Sequence, residues 1–296
     1  MESTSSSSKH LIAPDHSNKS KIYDLPSEEE FEEISHMQLR HYMLRYMWQC
    51  NFVAPVHDIL TSGGKVLDIA CGTGEWILEM SLSYPKSEFT GIDRLSIFPS
   101  AVKPTNANFA KENALTLPYE NETFNFLRFS LTIFREKLWK NYLLPEALRV
   151  LRPGGYIEWQ EFDYNMINKG PCLKIIIDGF IRYFEINKTN ILICPYMEGY
   201  LKEANFIEIH SFDVKCNLWD GRYGNLAIHD FILSFKRMMP QLCQVIGIDE
   251  DEYLNLLSNL EEEMIKFKTS YKKWRIVFLS TLAVNCSCKK RERLQE

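Results

Sequence analysis

Asp68, the bend Ala70-Cys71-Gly72-Thr73-Gly74 and Asp93 are the residues of this chain whose types and spacing best suit the binding of a small charged molecule. Small side chains across 70–74 let the backbone turn sharply and bring its N–H groups against a ligand, where a larger Cβ would block the approach. A dinucleotide fingerprint, G-x-G-x-x-G, needs its third glycine for close packing of helix on strand. Here Ile77 stands at that position, and Ala70 opens the bend. Asp68 would repel a pyrophosphate but suits a ligand with a cationic amino-acid head. Asp93 lies about 19 residues past Gly74, the spacing at which an acid accepts hydrogen bonds from both hydroxyls of a ribose. A generic α/β turn followed by a surface aspartate is the plainer alternative.

Those residues need a strand, a turn and a helix to position them. Val66, Leu67 and Ile69 form an apolar β-prone run, and Trp76, Ile77, Met80 and Leu82 mark one face of a following helix. Phe89-Thr90-Gly91-Ile92-Asp93 reads as a second strand. Asn106 to Ala114 reads as a short third strand with its exit, and Phe124 to Ser130 as a fourth. Strand ends on the ligand edge of an open parallel sheet border its crevice, which nominates Arg128 and Phe129 as lining residues. The plainer placement is Phe129 in the core and Arg128 at the surface. Trp139 to Leu151 reads as a helix interrupted near Pro145 and stopped by Pro153-Gly154-Gly155. Tyr156 to Phe162 is a fifth strand, whose far end, Gln160 to Asp163, faces the cleft. Glu161 is there the candidate to orient or deprotonate a nucleophile, with a solvent-facing polar role as the other reading.

With those residues in view, the sequence resembles the class I S-adenosylmethionine (SAM)-dependent methyltransferases. The resemblance rests on Val66 to Gly74, Gly91-Ile92-Asp93, Leu117-Pro118-Tyr119 and Arg149 to Tyr156. It is closer to the fungal branch that includes LaeA-like proteins, through Tyr23-Asp24-Leu25-Pro26-Ser27, Asn51 to Val56 and Trp219 to Gly224. The resemblance covers roughly residues 21 to 285. It implies a Rossmann-like, doubly wound α/β sheet of seven strands, mostly parallel with one antiparallel strand, plus a helical cap. The cofactor it implies is SAM, held by Asp68, the 70–74 bend, Asp93 and Arg94. Asn113, where relatives usually carry Asp, becomes an adenine contact with Ala114 alongside, and Asn125 replaces a second usual Asp. The amino-terminal helical segment is expected over the cofactor cleft, bringing Tyr23 and His41 near it.

The 45% hydrophobic and 25% charged composition is that of an ordinary globular protein, and a net charge of -5 offers no basic surface for nucleic acid. Cysteines at 50, 71, 172, 194, 216, 243, 286 and 288 include no C-x-x-C pair, so no zinc site is expected. With no signal peptide and no bilayer-length apolar run, a reducing cytoplasm or nucleus is expected. The division expected is a disordered Ser-rich tail over 1–20, a helical cap over 21–60, a SAM-binding core over 61–165, a region over 166–285, and a basic tail over 286–296. Residues 222–268 read as a helical insertion before the last strand, reaching over the sheet edge as a substrate lid. Methyl transfer needs alignment and water exclusion, so no single catalytic residue and no metal is demanded. The acceptor is unidentified, a small molecule ahead of a protein. A SAM-binding regulator acting through a protein partner, with weak or lost transfer, stays open, as does a nicotinamide oxidoreductase.

Overall fold

The computed structural model describes residues 27–131, 136–204 and 206–279. The expected tails over 1–20 and 286–296 lie outside them, as does Tyr23. Seven strands form one sheet: β1 (Lys65–Ile69), β2 (Glu88–Asp93), β3 (Ala107–Lys111), β4 (Phe124–Ser130), β5 (Leu151–Ile167), β6 (Ile207–Asn217) and β7 (Ser270–Leu279). Their order is β3-β2-β1-β4-β5-β7-β6. Strands β1 to β5 pair in parallel, while β7 runs antiparallel to both neighbours. The strand order reverses between β1 and β4, and a parallel sheet opens a crevice at the carboxyl ends of its strands there.

Alternation along the strands sends apolar side chains to both faces. Val66, Phe89 and Phe126 pack on one face with Trp76, Ile77 and Met80 of α3 (Glu75–Ser83) and Leu60 of α2 (His57–Ser62). Leu67, Ile69, Leu127 and Phe129 pack on the other with Trp139, whose ring stacks on Trp159 at 3.8 Å between centroids. Each fully buried side chain of this size contributes about 1.5–3 kcal/mol. The chain before Pro145 takes a π-helical turn, Trp139–Leu143, between α4 (Glu136–Leu138) and α5 (Leu144–Val150). Proline has no N–H for the carbonyl four residues earlier, and the wider turn absorbs that loss.

One expectation is corrected here. Pro153-Gly154-Gly155 does not stop the helix; α5 ends at Val150, and the three residues lie inside β5. The β4–β5 register shifts there, from Phe124 opposite Leu151 to Phe126 opposite Tyr156, so the motif makes a bulge.

A third apolar cluster lies beyond the sheet, where Phe162 and Tyr271 meet α6 (Pro171–Ile186) and helices inserted between β6 and β7. After α7 (Met197–Glu203), these are α8 (Gly221–Arg237), α9 (Met239–Ile246), α10 (Glu250–Ser258) and α11 (Leu260–Lys266). The long helix α1 (Glu28–Trp48) joins them through polar contacts: Asp230 on α8 receives His36 at 2.6 Å and Arg40 at 3.0 Å. On its other side, His41 and Arg45 reach Glu79 on α3 at 3.2 and 2.9 Å. The segment after α1 is tied to the sheet by Glu158, which accepts the N–H groups of Val53 and Ala54 and faces Arg275 at 3.5 Å. Helix α1 is thereby fixed between α3 and α8, against the bend that follows β1.

Candidate functional site

The bend after β1 is held by its backbone. The Cys71 N–H donates to the Ile92 carbonyl at 3.0 Å, and Gly74 N–H to the Cys71 carbonyl at 3.0 Å. Ala70, Gly72 and Gly74 all have positive φ, at 60°, 57° and 84°. Ala70 adopts a left-handed conformation that usually favours glycine, a local strain of the kind that collects at binding sites. Gly74 is required on two counts. A Cβ there would lie 2.6 Å from the Phe109 ring, in a conformation side chains resist. Gly74→Ala is therefore expected to lower stability by about 1–3 kcal/mol, read as an earlier urea midpoint with unchanged slope.

Two hollows meet at this bend. The first, about 400 Å³, is lined by Ala70, Ile92, Asp93, Arg94, Leu95, Glu112 and Ala114. The second, about 240 Å³, lies under α1 and is lined by Met37, Arg40, His41, Ala70, Cys71, Gly72, Thr73, Glu75, Asp93, Arg128 and Leu131, among others. Ala70 and Asp93 belong to both. The Asp93 carboxylate is oriented by two backbone donors, Gly72 N–H at 3.0 Å and Leu95 N–H at 2.9 Å. Lone pairs remain on both oxygens for hydroxyl donors. Thr73 donates its hydroxyl to Glu75, which also receives the Gln38 amide at 2.7 Å. Burial pushes the Cys71 thiol well up, so it is not a thiolate at neutral pH.

Three sequence-based placements change, and Glu161 lies in a cavity that adjoins the second hollow. Asp68 does not face the hollow: it is fully buried and bonded at 2.9 Å to Arg128, its register partner on β4. Its other carboxylate oxygen has no hydrogen-bond partner among the described residues, and burial raises its pKa against the pull of Arg128. The guanidinium is the charge that lines the second hollow, packed over the Trp76 ring at 4.7 Å. Phe129 is fully buried in the core against Trp139 and borders neither hollow. Asn113 is exposed, and its carbonyl accepts the Leu115 N–H at 3.1 Å in a local turn; Glu112, one residue earlier, lines the first hollow. Glu161 is buried at a cavity of about 80 Å³ that shares Arg40 and Leu131 with the second hollow, where it accepts from the Trp159 indole at 3.3 Å.

His41 lines the second hollow, and burial, with Arg128 nearby, lowers its pKa so that the ring is neutral at neutral pH. Sequence reasoning passed over Glu112 and Arg40. Strand alternation carried a signal for the first, and the one-turn spacing of His36 and Arg40 carried one for the second. Among the described residues no group of three or more His, Cys, Asp or Glu is gathered as metal ligands would be.

A seven-stranded sheet with β7 reversed, a tight bend after β1 and an acid closing β2 describe one superfamily of nucleoside-binding folds. A family model described as "Methyltransferase domain" matches residues 66–155, spanning β1 to the start of β5. Residues 66–155 thus match the methyltransferase-domain family, and the sheet around them has the strand order of a class I methyltransferase fold. The chain is 29% identical over 192 residues to the secondary metabolism regulator laeA of Coprinopsis cinerea, covering 63% of this chain and 44% of that one. It is 24% identical over 258 residues to methyltransferase pytC of Aspergillus terreus, covering 82% and 78%. Thus the chain spans less than half of the first relative and most of the second. Among solved structures, a SAM-dependent methyltransferase of Methanosarcina mazei is 20% identical at a TM-score of 0.47, covering 79% of this chain and all of that one. No helix among the described residues is long and apolar enough to cross a membrane.

Proposed function

We propose that this protein transfers the methyl group of SAM to a small-molecule acceptor, with the nucleoside in the first hollow and the methionine portion in the second. The observation that carries the reading is Asp93, shared by both hollows and held in orientation by two backbone N–H groups. It accepts the ribose hydroxyls. Glu112 and Ala114 border the base, with Arg94 at the rim. The Arg128 guanidinium receives the carboxylate of the amino-acid head, and the Gly72 and Thr73 segment lies beside it. Bound SAM supplies a sulfonium methyl open to in-line displacement. The protein's own part is alignment and dryness, to which Leu44, Trp76 and Leu131 contribute apolar walls. Helix α1 closes one side, and the helices between β6 and β7 form the lid over the acceptor. A reducing compartment, the cytoplasm or the nucleus, is proposed from the six free cysteines among the described residues.

Asp93→Ala is expected to weaken SAM binding by about 1.5–3 kcal/mol, the range for hydrogen bonds to a charged partner. Calorimetry checks it, and unchanged affinity would remove Asp93 from the site. Radiolabel from methyl-labelled SAM is expected in at least one small component of a cell extract. Tight SAM binding with no transfer to any component would instead favour a regulatory role.

A further inference from the structure

Beside the second hollow, sharing Arg40 and Leu131 with it, lies the partly open cavity of about 80 Å³. Phe162, Tyr164, Phe180, Phe231 and Phe235 give it aromatic walls, and Lys273 enters from β7. Lys273 is 3% exposed and pairs in register with Phe162, over whose ring its ammonium lies at 4.1 Å. Among the described residues the Lys273 ammonium makes no hydrogen bond and no ion pair. The carboxylates that face it are engaged elsewhere. Asp230 holds His36 and Arg40, and Glu161 receives the Trp159 indole and the Phe162 N–H at 3.3 Å. A buried ammonium held by a ring face, with no hydrogen bond or counter-ion, is expensive to maintain. Leu131, at the junction of the two spaces, is held at a φ of +54°, a conformation that a branched side chain resists. A buried cation with neither hydrogen bond nor ion pair and a strained residue thus stand together beside the second hollow.

We propose that this cavity is the inner end of the acceptor site and takes the ring of a small acceptor bearing an ionised oxygen, phenolate or carboxylate, held by Lys273. The proposal rests on the methyl-transfer reading above. The aromatic walls suit a flat ring, and the ammonium finds in the oxyanion the acceptor it otherwise lacks. The volume is about half that of an engineered cavity of roughly 150 Å³ that admits benzene. The ring therefore seats partly here and partly in the adjoining hollow of about 240 Å³. Burial, with Arg40 nearby, pushes the Lys273 ammonium down to about 8, which leaves it mostly protonated at neutral pH.

The test uses the full chain saturated with S-adenosylhomocysteine, whose own binding is measured first by calorimetry. Four probes are then compared: 4-nitrophenol, 4-nitrobenzoate, nitrobenzene and 4-nitroaniline. At least one of the two acids is expected to bind about tenfold or more tighter than nitrobenzene. If it is 4-nitrophenol, it should show phenolate absorption at a pH where the free dye is half protonated. Whichever acid binds tighter names the oxyanion. Lys273→Met and Lys273→Gln are each expected to abolish the preference while S-adenosylhomocysteine affinity stays within about twofold. Equal binding of all four, a preference for 4-nitroaniline, no binding at all, or a preference that survives both substitutions would overturn the proposal. Failure of S-adenosylhomocysteine itself to bind would instead strike at the transferase reading, and the acceptor proposal would fall with it.

Discussion

Replacing Arg128 by methionine is expected to lower folding stability by about 3–5 kcal/mol at neutral pH, the usual consequence of stripping one partner from a buried ion pair. Asp68 is fully buried, has one oxygen without a partner already, and relies on the guanidinium at 2.9 Å for its other. The deficit should depend on pH, and its sign follows from proton linkage. Burial raises the Asp68 pKa in the folded protein above its ordinary 3.8, so the native state holds a proton that the unfolded chain has released. Stability then falls as pH rises through that window. Without Arg128, which opposes the rise, the window widens, and the variant should recover part of its loss as the medium is acidified from pH 7 toward about 5. Urea titrations at both values check this. A variant whose deficit is the same or larger in acid would show that Asp68 is not the group left stranded. SAM affinity should fall in the same variant, because the guanidinium also lines the second hollow.

The opposite sign is expected at Lys273. Lys273→Met should raise stability at neutral pH by up to about 3 kcal/mol, because displacement of the ammonium's titration from 10.5 to about 8 is a penalty of that size. Here the folded pKa is depressed, so between about 8 and 10.5 the unfolded chain binds more protons than the native one. Wild-type stability therefore climbs with pH across that interval. The penalty is fully present below it and gone above it. The gain from methionine should accordingly be greatest near pH 7 and shrink toward pH 10. Guanidinium unfolding of both proteins at the two pH values decides the matter; a destabilised methionine variant would mean that the ammonium has a partner in solution. A stabilising change that removes acceptor binding is the trade expected where a binding site holds a group the fold would rather not bury.

The parts of the architecture that are local in the chain were legible from residue types. An apolar run, a bend of small residues and a one-sided helix sit within 66–82, and their order alone predicts a ligand-binding turn. Asp93 was reachable by spacing, because a strand and a helix of ordinary length separate it from the bend. Asp68 was misread for a reason that no local pattern carries. Its neutralising partner is 60 residues away and is brought opposite by the pairing of β1 with β4. Asn113 is exposed, while Glu112 beside it lines the hollow. The chain leaving β3 sends Glu112 to the hollow, and such short exits fix direction only through their contacts, here the Glu112 N–H on the Asp93 carbonyl. Phe129 shows the converse error: closeness to a strand's end says nothing of which face a side chain takes until the register is known. The cavity at Lys273 was beyond reach, since Arg40 and Asp230 are 190 residues apart and neither belongs to a recognisable motif.

The stretch that matches the methyltransferase family, residues 66–155, contributes only Leu131 to the walls of the partly open aromatic cavity. Arg40 comes from before it, and the other wall residues come from after it. On the acceptor reading proposed above, changes on α1, β5, α6, α8 and β7 would alter what is modified while the matched stretch stays untouched. Two homologues that look interchangeable across the shared ninety or so positions can differ in product, and functional transfer between them is better judged on the two thirds of the chain outside that stretch.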